Sequence, residues 1–157
     1  INVMVPDDDG GTDTAGTSVI VGNVAPIVQL DPVTTINEDG TAILTGTITD
    51  PGTLDTFTLV VNWVDTFSPD NETTYTYGPS DTATQTFEVT HRYLDDNPTD
   101  TARDTYAINV TVTDDDGATD IAGTSVIVGN VAPIVQLDPV TTINEDGTAI
   151  LTCLLYT

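Results

Sequence analysis

Three features of the sequence predict an all-β fold. Thr and Val dominate, with 32 and 18 of the 157 residues against a single Met and a single Trp. Both side chains branch at Cβ, which restricts χ1 and suits a pleated, half-buried surface. Apolar and polar residues alternate with period two in several runs, and no stretch carries a helical period. Turn signals separate those runs at Glu38-Asp39-Gly40, Asp50-Pro51-Gly52, Gly78-Pro79-Ser80, Asn97-Pro98 and Asp116-Gly117.

The elements follow in order. Two strands are expected at about 26–30 and 41–49, on either side of the Glu38-Asp39-Gly40 turn. A third, at about 56–64, alternates Phe57, Leu59, Val61 and Trp63 with Thr58, Val60 and Asn62. The fourth and fifth are expected at about 72–78 and 83–93, the latter with Phe87, Val89, His91 and Tyr93 in phase. The sixth, at about 105–113, sets Tyr106, Ile108, Val110 and Val112 against Ala107, Asn109, Thr111 and Thr113. The seventh is expected at about 118–128. Seven short strands in about 100 residues predict an immunoglobulin-like, seven-stranded antiparallel β-sandwich.

Self-similarity sets the domain organisation. Residues 1–45 align with 108–152 at an offset of 107, and only four positions differ: Met4/Thr111, Pro6/Thr113, Gly11/Ala118 and Thr14/Ile121. A period of that size is a domain, not a solenoid unit. A tandem repeat array is therefore expected. Residues 24–130 form the complete repeat, and 1–23 carry the last two strands of a truncated predecessor. Residues 131–157 carry the first two strands of a truncated successor. A lone hairpin is marginal in water, so both flanks are expected to be loosely packed or disordered. After Ile150-Leu151-Thr152 the register should continue as Gly46-Thr47, yet Cys153-Leu154-Leu155-Tyr156-Thr157 follows. The string TGT CTC TTA TAC ACA, part of a widely used transposon-type sequencing adapter, encodes those five residues. Adapter read-through is expected at 153–157, in a metagenomic fragment.

Acids outnumber bases 25 to 2, for a formal charge of −23. Lys is absent, and the bases are Arg92 and Arg103. Such a surface cannot displace counterions from phosphates, which excludes a nucleic-acid partner, and it disfavours an anionic membrane. No apolar run approaches the length of a membrane span, so no membrane insertion is expected. The lone Cys153 cannot form an internal disulfide. No G-x-S-x-G surrounds any Ser, and His91 is the single His. Catalysis is not expected, and His91 is expected to be a packed, hydrogen-bonded core residue. Tyr106 suits a tyrosine corner, with its hydroxyl reaching upstream backbone. Tyr75 and Tyr77 share a strand face, for packing between sheets or as an aromatic contact strip.

Strand direction reverses at each hairpin, so alternate loops share a pole. The upstream pole gathers the linker 23–26, Asp50, Asp55, Asp81, Asp114, Asp115 and Asp116. The downstream pole gathers Asn37, Glu38, Asp39, Asp65, Asp70, Asp95, Asp96, Asp100 and Asp104. In an array the downstream pole of one repeat meets the upstream pole of the next. Calcium takes six to eight oxygen ligands from carboxylates and carbonyls. The candidate ligands are Asn23, Asp50, Asp55, Asp114, Asp115 and Asp116, with Glu38 and Asp39 as junction ligands. Two readings stay open for Asp114-Asp115-Asp116-Gly117: a calcium site, or a solvated hairpin turn in which Asp caps amides and Gly supplies φ > 0. For Asn37-Glu38-Asp39-Gly40 they are a plain turn, or a Glu38 oxygen given to an ion held by the next repeat. The spacing is not that of an EF-hand.

The segment Val89-Thr90-His91-Arg92-Tyr93, followed by Tyr106-Ala107-Ile108-Asn109-Val110-Thr111-Val112-Thr113-Asp114-Asp115-Asp116-Gly117, resembles the PKD (polycystic kidney disease) domain. Trp63 with Asp65 resembles that family's tryptophan region, although Val64-Asp65-Thr66-Phe67-Ser68-Pro69-Asp70 replaces its usual W-D-F-G-D-G. The resemblance implies an extracellular β-sandwich, often in tandem, in surface proteins or beside secreted catalytic domains. It also implies calcium near the interdomain linker in some members. The expected role is a non-catalytic spacer and adhesion stalk, extracellular or at the cell surface, with neighbouring repeats as partners. The alternative is an accessory module that binds a surface polysaccharide or protein for an attached secreted enzyme.

Overall fold

The computed structural model describes residues 1–97, 99 and 101–156. The described residues form strands and no helix. Within 24–130 the strands are β3 (Ile27–Leu30), β4 (Ile36–Asn37), β5 (Gly40–Thr49), β6 (Phe57–Asn62), β7 (Glu72–Tyr77), β8 (Thr84–Tyr93), β9 (Arg103–Asp114) and β10 (Thr119–Gly129). The flanks hold β1 (Asn2–Pro6) and β2 (Thr12–Gly16) upstream, and β11 (Ile134–Leu137) and β12 (Cys153–Tyr156) downstream. The seven expected strands are present with ends displaced by three residues or fewer, and β4 was not foreseen. Two residues show no alternation that could announce a strand. β4 exists because β10 offers it a parallel edge, pairing Val128 with Ile36 and Gly129 with Asn37.

The strands of 24–130 make two sheets, ordered β3-β5-β8 and β4-β10-β9-β6-β7. All pairings except β4–β10 are antiparallel. Both sheets contribute to a single core. From the smaller sheet come Val28, Leu44, Ile48, Phe87, Val89 and Tyr93; from the larger come Leu59, Val61, Ile108, Val110, Val112 and Val126. The period-two pattern explains this: on β9 every second residue from Asp104 to Asp114 is buried. Each fully buried large aliphatic contributes about 1.5–3 kcal/mol.

Around Trp63 the core is polar and hydrogen-bonded, with the indole Nε1 donating to Thr73 Oγ1 at 3.2 Å. His91 is buried, as expected, and its ring stacks on Trp63 at 5.1 Å and meets Tyr93 edge-on at 4.7 Å. His91 Nε2 lies 3.0 Å from Oδ2 of buried Asp65. The Tyr93 hydroxyl donates to the Trp63 carbonyl at 2.9 Å. Tyr106 is the expected corner, donating to the Asp95 carbonyl at 3.2 Å. Burial first, then nearby carboxylates led by Asp65, push its phenol up to about 12, so the hydroxyl stays a donor. Tyr75 and Tyr77 are half-buried and pack against the core.

The flanks repeat the local structure of the central unit without its core. β1 pairs with β2 in the register that β9 and β10 use, Asn2 with Gly16 as Asn109 with Gly123. β11 pairs with β12 as β3 does with β5, Ile134 opposite Tyr156 as Ile27 is opposite Thr49. Both flanks are paired hairpins with every strand residue exposed. Cys153 takes the place that Gly46 holds in the complete unit. A Cβ at Gly46 would lie 2.3 Å from the Gln29 carbonyl oxygen and 2.7 Å from the Phe87 ring. A full core could not accept the Cys153 side chain there. Thr157, at the end of the segment expected to be adapter-derived, lies outside the described residues.

Candidate functional site

The upstream pole is assembled from three separated segments. The loop after β5 folds two carboxylates over its own glycine. Asp50 Oδ1 accepts from the Gly52 amide at 2.7 Å, and the Asp55 amide donates to the Gly52 carbonyl at 3.1 Å. A Cβ on Gly52 would meet the Asp55 carboxylate at 2.2 Å, so glycine is required for Asp55 to lie there. The turn between β9 and β10 reaches this loop through Asp115, whose Oδ1 accepts from the Thr56 amide at 3.2 Å. The linker reaches the turn through Asn23, whose Nδ2 donates to Asp114 Oδ2 at 2.7 Å. Sequence reasoning placed Asn23 beside Asp114 but missed this direct bond, since 91 residues separate the two.

Asp114 works mainly as a turn residue. Its Oδ1 accepts from the Ala118 amide at 2.7 Å, and Gly117 has φ of 88°. Asn23 holds its carboxyl below the ordinary range; burial opposes the shift, and the Ala118, Gly117 and Asp116 amides assist it. The pressure falls elsewhere. Asp55 is pushed up by desolvation and then by Asp50, Asp115, Asp114 and Asp116. Asp50 is 3% exposed, and its Oδ2 is buried without a hydrogen-bond partner among the described residues. Asp50, Asp55, Asp116, Asn23 and Gly52 line one cavity of about 390 Å³. Six expected residues therefore meet at one pole: Asp50, Asp55 and Asp116 face the cavity with Asn23, while Asp114 and Asp115 tie its walls together.

Glu38 and Asp39 part company at the downstream pole. Asp39, with φ of 64°, pairs with Arg92, so Arg92 neutralises it. Glu38 carries the outgoing linker. Its amide donates to the Gly129 carbonyl at 2.8 Å, and its Oε1 accepts from the Val131 amide at 2.5 Å. One oxygen each from Glu38, Asp95 and Asp96 lies within 4.8 Å of the others. Asp95 and Asp96 were expected at this pole, but no spacing marked them as partners of Glu38. Thr99 donates its amide and hydroxyl to Asp104, at 3.1 and 2.6 Å. Asp100 lies outside the described residues, as does Pro98 of the expected turn.

Three or more carboxylate oxygens held together with few counter-charges can recruit a hard, oxygen-seeking cation. The chain matches no protein-family model and no curated protein.

Proposed function

We propose that the chain is a window on a tandem array of immunoglobulin-like repeats in a large secreted or cell-surface bacterial protein. The array is a non-catalytic spacer and adhesion stalk, stiffened by calcium where one repeat joins the next. The recurrence at 107 residues and the single core enclosed by two sheets support the architecture. The resemblance to the PKD domain supports the location.

One observation carries the metal reading: Asp50 lines a cavity walled by the incoming linker, and its Oδ2 is buried without a hydrogen-bond partner among the described residues. Burying an unpaired carboxylate oxygen is expensive, and a divalent cation removes the expense while consuming the repulsion around Asp55. Asp50, Asp55 and Asp116 with linker carbonyls supply the oxygen-rich shell that calcium takes. Calorimetric titration of the full chain should give a dissociation constant around 10⁻⁴–10⁻³ M, the range of extracellular modules. Asp50→Asn should weaken it at least tenfold. Equal affinity in the variant would remove the reading.

The rival reading, an accessory binding module, needs an aromatic platform. Tyr75 and Tyr77 are half-buried against the core, and Phe67 stands out singly at 72% exposure. Retention on cellulose, chitin or collagen would favour it over the stalk.

A further inference from the structure

We infer a second cation site, at the downstream pole, built by Glu38, Asp95 and Asp96 and wired to the outgoing linker. It rests on the reading of the chain as a repeat with a continuing neighbour, but not on the upstream calcium.

Proximity of three acids is not the whole case. Asp96 is 7% exposed, and its Oδ2 is buried without a hydrogen-bond partner among the described residues. Desolvation raises its pKa first, then Glu38, Asp95 and Asp104, against a lowering hydrogen bond from its own backbone. Among the described residues the basic side chains that reach an acid within 4 Å are His91, on Asp65, and Arg92, on Asp39. Neither serves the trio. A buried Asp whose carboxylate clusters with two others and keeps one oxygen unpartnered, with no basic side chain within 4 Å among the described residues, is the arrangement a divalent cation completes.

The surroundings supply more oxygen and a geometry. Asp95, Asp96, Asn97, Thr99 and Asn130 line a cleft of about 430 Å³. Asn130 is the counterpart of Asn23 one period on, so the cleft opens onto the same linker that the next repeat would use. The Asn130 amide donates to the Ala102 carbonyl at 3.1 Å, and the Val131 amide to Glu38. A carboxylate has two oxygens and several lone pairs, so Glu38 can hold the Val131 amide and a metal together. Each linker would then lie between two ions: one held by the repeat it leaves and one by the repeat it enters. The chemical class is a hard, oxygen-seeking divalent cation, with calcium as the probe. The Tyr106 hydroxyl, bound to the Asp95 carbonyl, holds that loop from the core side.

The test is a calcium titration of the full chain followed by amide resonances. Two sets of amides should move independently: Gly52, Thr56 and Ala118 upstream, and Glu38, Asp96 and Val131 downstream. Asp96→Asn should weaken the downstream response at least tenfold and leave the upstream one unchanged. Glu38→Gln keeps an acceptor for the Val131 amide and removes the charge, so it should do the same without disturbing the fold. A downstream set that stays still to about 10 mM calcium, ten times the weak end of the extracellular range, would overturn the inference. So would a response that both variants retain. Movement of the downstream set alone would leave this site standing and remove the upstream calcium.

Discussion

Residues 1–22 and 108–129 are close to the same peptide in two settings. Both form the same hairpin, in the same register, around the same turn. The Asp7 amide donates to the Gly11 carbonyl at 2.8 Å, as Asp114 does to Ala118 at 3.0 Å, and Gly10 and Gly117 have φ of 87° and 88°. Yet Val3, Val5, Val19 and Val21 are 55%, 63%, 70% and 87% exposed, whereas Val110, Val112, Val126 and Val128 are fully buried. The turn is a local decision, made by an Asp that caps amides and a Gly that accepts positive φ. Burial is non-local: it needs β6 beside β9 and the smaller sheet across the core. Sequence identity thus fixes the hairpin, and its neighbours decide what the hairpin contributes.

Substitutions at equivalent positions should separate these two contributions. Ile108 is fully buried and Ile1 is 74% exposed. Ile108→Ala should lower the unfolding free energy by about 2–5 kcal/mol, and Ile1→Ala by less than about 0.5 kcal/mol, in denaturant melts of the full chain. Similar losses from both would mean that the flanking hairpin is packed in solution. The second pair is Gly46 and Cys153. Gly46→Cys should cost about 1–3 kcal/mol or more, because its Cβ meets backbone and the Phe87 ring, while Cys153→Gly should leave the melt unchanged. A smaller effect concerns Val64, which holds φ of 53°, a region that β-branched residues avoid. Val64→Asn should stabilise the central unit by about 1 kcal/mol, and no change would show that the backbone relaxes there.

Acid response sharpens the contrast between the poles and the rest of the unit. Asp55 and Asp96 have folded-state pKa values raised above 3.8, mainly by desolvation. Across the window from 3.8 to those raised values, the folded chain binds more protons than the unfolded one. Stability contributed by these groups therefore falls as pH rises through the window. Asp114 is lowered, so its contribution is present above 3.8 and disappears as pH falls through its folded value. In EDTA, melting temperature should rise as pH falls into the window above 3.8 where Asp55 and Asp96 take up protons, and then fall once Asp114 protonates. Calcium should flatten the first limb. A monotonic fall from pH 7 downward in EDTA would contradict this.

Much of the fold was legible because the signals are short-range. Alternation such as Phe57, Leu59, Val61 and Trp63 marks a strand face with no knowledge of its neighbours. The poles were legible too, since hairpin reversal alone places Asp50 and Asp114 at one end. What escaped depends on pairing across the chain. β4 is a strand only because β10 has a spare edge. Asp65 is the partner of His91 across 26 residues, and no local pattern announces it. Glu38 lies near Asp95 and Asp96 only because the loop after β8 returns beside β4, which no spacing in the sequence encodes. In sequence Asp39 is equivalent to Glu38; the pairing with Arg92, 53 residues away, is what separates them.

Thermal melting of the full chain in EDTA and in about 10 mM calcium, repeated for Asp50→Asn, tests the upstream site most directly. Ten- to a hundredfold excess over the dissociation constant corresponds to about 1.4–2.7 kcal/mol. The melting temperature should then rise by on the order of 10 °C. The upstream site's share of that rise should vanish in the variant, leaving only the share of the downstream site. A melting temperature that calcium leaves unchanged in the parent chain would contradict the account.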